Sequence, residues 1–143
     1  MSDPITRNFA ASLQKTYEWL KDVEDALSTD DRPTAYHALR AVLHALRDRL
    51  TPVEACELAA ELPSMLRGIF FEGWSPVGKP EKMDKPEFFA RVKQLAGPTS
   101  GDLNPARCVP AVFGVLQKRI SDGEIEDIRG VLPDQFAELW PEG

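Results

Sequence analysis

A chain of 143 residues can bury one substantial core but has no room for two large independent domains. Hydrophobic residues make up 43% and charged residues 28%, the balance of a globular protein and not of a disordered one. The net charge is −6, and eight of the 17 basic and 12 of the 23 acidic residues precede residue 75, so neither part has the cationic excess that phosphate binding relies on.

Proline placement marks the helix starts. Asp3-Pro4 reads as an N-cap followed by proline at the first helical position, where its missing N–H is no loss. Ile5, Phe9, Leu13, Tyr17, Leu20, Val23 and Leu27 then recur at spacings of three or four, the period of one helix face, predicting a first helix to about residue 27. The polar stretch 28–31 breaks it. Pro33 opens a second helix with Tyr36, Leu39, Leu43, Leu46 and Leu50 as its apolar face. Thr51-Pro52-Val53-Glu54 is a capping-box pattern, and the helix it starts carries Ala55, Leu58 and Leu62 until Pro63 ends it. Met65, Leu66, Ile69 and Phe70 predict a short fourth helix.

Residues 72–84 hold two prolines and two glycines with little periodicity and read as a linker. Asp84, with Glu87 three residues on, starts a helix bearing Phe88, Phe89, Val92 and Leu95, which Gly97-Pro98 stops. Asn104-Pro105 starts another, running through Val109, Val112, Phe113, Leu116 and Ile120, with Pro110 expected to kink it.

Shifting the chain by 70 lays its second half on its first. Over residues 41–73 against 111–143, nine of 33 positions are identical, among them Arg49/Arg119, Glu54/Glu124, Leu62/Leu132, Pro63/Pro133, Glu72/Glu142 and Gly73/Gly143. Conservative pairs such as Leu50/Ile120, Leu58/Ile128 and Phe70/Trp140 keep the apolar face, and Thr51/Ser121 keeps the cap. A repeat of this kind means that each unit has an apolar face it cannot cover alone. The expectation is an all-α fold of two tandem pseudo-symmetric units, 17–74 and 85–143, with three to four helices each. They are joined by the linker 72–84 and packed into one compact bundle, a single domain over 1–143. Residues 4–16 form a helical extension that the second unit lacks.

No apolar run reaches about 18 residues, so no membrane span or membrane partner is expected. The first residues lack the basic-then-apolar order of a secretion signal. Cys56 and Cys108 occupy non-equivalent places in the two units, which disfavours a disulfide and fits reduced thiols in a cytoplasmic protein.

The stretches Ala38–Pro52, Leu62–Trp74 and Lys85–Val92 together resemble the bacterial family called domain of unknown function 2267, from about residue 17 onward. The resemblance implies a small helical bacterial protein. The family has no assigned activity, so no catalytic residue carries over.

Several residue groups could bear function. His37 and His44 share a helix face with Arg40, Arg47 and Asp48, but two histidines beside arginines make a poor metal site, and a solvated polar stripe is the expectation. Neither cysteine has a neighbouring base, no phosphate loop is present, and no cofactor or catalytic residue is expected. Arg49, Glu54, Arg119 and Glu124 form a candidate polar cluster between the repeats. The glutamates are explained locally as capping partners, and the arginines by the helix dipole and a salt bridge to an adjoining helix. Phe70, Phe71 and Trp74 are a candidate interaction surface, three aromatics in five residues being more than one helix face buries. Packing of Phe70 into the core, with the other two beneath the linker, is the structural alternative. The functional expectation is therefore a protein-interaction or self-association module, whose partner is another protein or a second copy. Its rival is an enzyme or small-ligand binder with a site at the seam between the repeats. Nucleic-acid binding through Lys79 and Lys82 is the weakest of the three readings.

Overall fold

Polar caps start most of the helices where proline and the local pattern predict. Asp3 Oδ1 accepts the Thr6 N–H at 2.8 Å and opens α1 (Pro4–Leu27). Ser28, left-handed at φ 55°, closes α1, and Asp31 caps α2 (Arg32–Arg49). A reciprocal capping box opens α3 (Pro52–Ala60): the Glu54 N–H donates to Thr51 Oγ1 at 3.2 Å, and the Thr51 N–H donates to Glu54 Oε1 at 2.9 Å. The chain continues through α4 (Ser64–Phe71), α5 (Lys85–Ala96), α6 (Pro105–Arg119), α7 (Asp122–Val131) and a closing 3-10 helix, Asp134–Leu139.

The computed structural model describes residues 3–97 and 103–141, and among these every regular element is helical. Pro98 lies outside the described residues, as do Glu142 and Gly143 of the pairs Glu72/Glu142 and Gly73/Gly143. Pro110 lies inside α6, which continues through it as one helix.

At the centre lies α2, against α1, α4, α5 and α6. Ala35, Leu39, Val42, Leu43 and Leu46 are buried along it, with Ala38 and Ala45 letting neighbours approach closely. One hydrophobic cluster draws on every helix. Its aromatic part is Phe88 of α5, edge-on to Phe113 at 6.3 Å and to Phe136 at 5.1 Å, with Trp140 stacked on Phe113 at 4.2 Å. Burying a side chain such as Phe88 contributes about 2–3 kcal/mol.

Element boundaries recur at the offset of 70. Helices α2 and α6 end at Arg49 and Arg119, α3 and α7 start at Pro52 and Asp122, and α4 and the 3-10 helix start at Ser64 and Asp134. The last pair differs in winding, α-helical in one and 3-10 in the other.

The apolar face of α1 is covered along only part of its length. Leu20, Val23 and Leu27 are buried, but Ile5 (64% exposed), Phe9 (71%), Leu13 (40%) and Tyr17 (41%) are not. The helix outruns the elements that cover it, so the same apolar face is core at one end and surface at the other.

Candidate functional site

The aromatic segment ends α4. Phe70 is fully buried, whereas Phe71 and Trp74 are half-buried and packed against the core. Their rings form a chain, Phe70 to Phe71 at 5.2 Å and Phe71 to Trp74 at 5.1 Å. Trp74 Nε1 is buried without a hydrogen-bond partner.

A helix end leaves its last carbonyls without intrahelical donors, and the end of α4 abuts α2. His44 Nε2 lies 2.7 Å from the Ile69 carbonyl, and Arg47 Nη1 donates to the carbonyls of Phe70 and Glu72, each at 2.6 Å. Burial pushes the His44 pKa down, so it serves as a neutral donor. The predicted solvated stripe is thus corrected in part. His44, Arg47 and Asp48 are buried, whereas His37 and Arg40 are half-buried, Arg40 lying 3.5 Å from Glu72. Opposite, Asp48 accepts from Arg47 Nε and from Arg91 Nη1, both at 3.2 Å. Lys79 and Arg91 pair with Glu81 at 3.3 and 3.0 Å, and the Glu81 N–H donates to the Asp48 carbonyl at 2.8 Å. The hydrogen bond from Arg91 holds the Glu81 carboxyl below its usual range. This network pins the linker to α2 and α5 and occupies Lys79, one of the two linker lysines.

The four residues of the inter-repeat polar cluster separate into different roles. Glu54 closes the capping box of α3. Arg119 Nε donates to Asp22 Oδ2 of α1 at 2.6 Å, and Lys118 joins the same carboxylate at 3.2 Å. Arg49 is half-buried, and its Nε has no partner. Glu124 is buried where α7 meets α3. Ser121 accepts the Glu124 N–H at 3.3 Å, but its own N–H and hydroxyl donate to Glu61 at the end of α3, at 2.7 and 2.8 Å. Glu61 therefore takes the place that the capping-box pattern assigns to Glu124. Burial, then Glu61, Glu57, Asp127 and Glu54, push the Glu124 carboxyl up to about 7.

Two surface features remain. A groove of about 450 Å³ between α1 and α6 is lined by Ala26, Ala106, Pro110, Ala111, Val115 and their neighbours. The charged residues at its rim are engaged elsewhere: Lys118 and Asp22 with each other, Asp25 with Lys21, and Arg107 with the Leu27 carbonyl. The second feature is the α1 arm. From Pro4 to Lys15 every residue is exposed except the half-buried Ser12. Tyr17, at the arm's base, is covered on one side by the Arg32 guanidinium, 4.9 Å from the ring centre. This exposed part coincides with the extension, residues 4–16, that the sequence match at the offset of 70 leaves out. Among the described residues no three His, Cys, Asp or Glu side chains group to hold a metal ion.

The polar clusters brace helix ends and a linker, and four of the eight large exposed apolar side chains among the described residues, Ile5, Phe9, Leu13 and Tyr17, share one face of α1. That is a helical protein with an exposed apolar stripe on its first helix. The chain belongs to the family described as uncharacterized conserved protein, DUF2267, whose profile matches residues 16–139 and leaves most of the arm outside the match. No curated protein matches it. No helix among the described residues is long and apolar enough to cross a membrane.

Proposed function

We propose that this protein is a cytoplasmic protein-interaction module whose contact face is the N-terminal half of α1. The observation that carries the reading is the unbroken stripe Ile5, Phe9, Leu13 and Tyr17, exposed on a folded helix. The largest exposed apolar patch of a monomeric protein is often a functional one. Phe71 and Trp74 are a secondary surface, half-covered, while Phe70 belongs to the core. The test is capture from lysate of the native cell with tagged wild-type protein and a Phe9→Ser, Leu13→Ser double variant. Proteins retained by the first and lost from the second support the reading. Identical retention by both refutes it.

A second reading, a small-ligand site at the seam of the two repeats, is favoured by one observation. Glu124 is a buried carboxyl poised near neutrality among four other acids, the kind of perturbed group that marks functional sites. Against it, Arg119 is bound to Asp22 on another helix, so the seam does not assemble the four-residue polar cluster.

A further inference from the structure

We propose that the junction of α3 and α7 is a pH-driven clasp, in which Ser121 exchanges its acceptor from Glu61 on α3 to Glu124 on its own helix. One motif stands in two states in this chain. At the start of α3 the box is closed within the helix: Glu54 Oε1 accepts the Thr51 N–H at 2.9 Å, and Thr51 Oγ1 accepts the Glu54 N–H at 3.2 Å. At the start of α7 only the second of these bonds is made, from the Glu124 N–H to Ser121 Oγ at 3.3 Å. Glu61 takes the Ser121 N–H and hydroxyl instead, one carboxylate oxygen on each, at 2.7 and 2.8 Å. The residue 70 positions beyond Glu61 is Val131, which has no side-chain acceptor, so Thr51 has no counterpart of that rival.

Charge decides which acceptor wins. An ionised carboxylate accepts a hydrogen bond more strongly than a neutral carboxyl does. While Glu124 holds its proton, Glu61 is therefore the better partner and ties α7 to the end of α3. Burial and the acids around it keep that proton in place up to about pH 7. Once it leaves, Glu124 is an equal acceptor, three residues from Ser121 and at the positive end of its own helix dipole. Glu61 then has to hold the junction closed against the repulsion of Glu124, Glu54, Glu57 and Asp127 together.

The cations of the surrounding elements are engaged elsewhere. Helix α3 carries none, and Arg129 of α7 lies over the Trp140 ring, 5.7 Å from its centre. On α6, Lys118 and Arg119 pair with Asp22, and Arg107 donates to the Leu27 carbonyl. Arg67 of α4 is bound to the last carbonyls of α3. The remaining charges of α7, Asp122 and Glu126, are exposed acids. Ile125 and Ile128 anchor α7 in the core, so the clasp opens at its polar edge while the helix stays folded.

Nuclear magnetic resonance of the isotope-labelled full chain tests this at about pH 5.5 and about pH 8.5, on either side of the Glu124 transition. Scalar coupling through the hydrogen bond reports which carboxyl carbon the Ser121 amide meets. It is expected at Glu61 at the lower pH and at Glu124 at the higher, with the Ser121 amide shift moving at the same midpoint as the Glu124 carboxyl. In Glu124→Gln the amide stays on Glu61 at both values, because the charged acceptor outcompetes the neutral one. In Glu61→Gln the exchange occurs at lower pH than in the wild type. Coupling that stays with Glu61 after the Glu124 carboxyl has titrated overturns the proposal, as does a Glu124 that is already ionised at the lower pH. An acceptor exchange that persists in Glu124→Gln overturns it too, since another group would then drive it.

Discussion

Glu124 predicts a stability that falls as pH rises through neutrality. The residue is 8% exposed, with Glu61, Glu57 and Glu54 acting on its carboxyl from the α3 side and Asp127 from α7, and its pKa stands at about 7 against an ordinary 4.5. The folded state thus binds the proton more tightly than the unfolded chain does. The protonated form contributes its full stabilisation below about pH 4.5, and that contribution is lost as pH rises through about 7. At about 1.4 kcal/mol per pKa unit the shift corresponds to at most roughly 3 kcal/mol; water at the rim screens the neighbouring carboxylates, which makes about 1–3 kcal/mol the expected size. His44 acts in the opposite sense. Its pKa is depressed, so its contribution is present above about 6.5 and fades as pH falls below that value. The clean quantity is therefore the difference between the wild type and Glu124→Gln, in which His44 cancels. Urea unfolding at pH 5 and pH 8 measures it. The glutamine variant should gain about 1–3 kcal/mol on the wild type between the two pH values, reaching its advantage at pH 8. Curves for the two proteins that stay parallel from pH 5 to pH 8 would show that Glu124 ionises like a surface carboxylate, and the account of the α3–α7 contact would be wrong.

Other perturbations probe the rest of the structure. Asp48→Ala removes the carboxylate paired with the buried Arg47 and leaves Arg91 and Lys79 with Glu81 alone, a loss of about 3 kcal/mol. Urea unfolding reads the loss, and limited proteolysis should show new cleavage within residues 72–84 as the linker comes free. Phe88→Ala opens a void between Phe113 and Phe136 and should destabilise the protein by about 3–5 kcal/mol in the same assay. Cys56 is exposed, whereas burial pushes the Cys108 thiol up to about 11, so a thiol reagent at pH 8 should modify one cysteine of the native protein and both in denaturant.

What the sequence revealed is sorted by the range of the interactions involved. Caps and proline starts need only four consecutive residues, and at Asp3, Thr51, Asp84 and Asn104 the predicted oxygen accepts the expected backbone N–H. Hydrophobic period locates a helix face with equal reliability, but it says nothing of what stands opposite. The stripe of α1 keeps its period from Ile5 to Leu27 while its cover ends near Thr16. The polar residues of α2 depart from their pattern for a related reason. His44, Arg47 and Asp48 look like a solvated face until α4, more than 20 residues on, ends against them with unpaired carbonyls.

Ser121 and Glu124 carry the further point that a local motif can be intact in sequence and rewired in space. The repeat keeps both residues of the capping box, and in the first unit Thr51 and Glu54 do close it reciprocally. In the second unit Glu61, 60 residues earlier, reaches the N–H and hydroxyl of Ser121 first. A carboxylate displaced from its cap must either find another donor or resist ionisation, and the acids around Glu124 leave it the second course. The contact between α3 and α7 thus converts a redundant capping residue into a group that titrates near neutral pH. Glu61→Gln offers the internal check. By removing the carboxylate that raises it most it should lower the Glu124 pKa and shrink the advantage of Glu124→Gln at pH 8, whereas Glu57→Gln, which removes a smaller effect, should do so less.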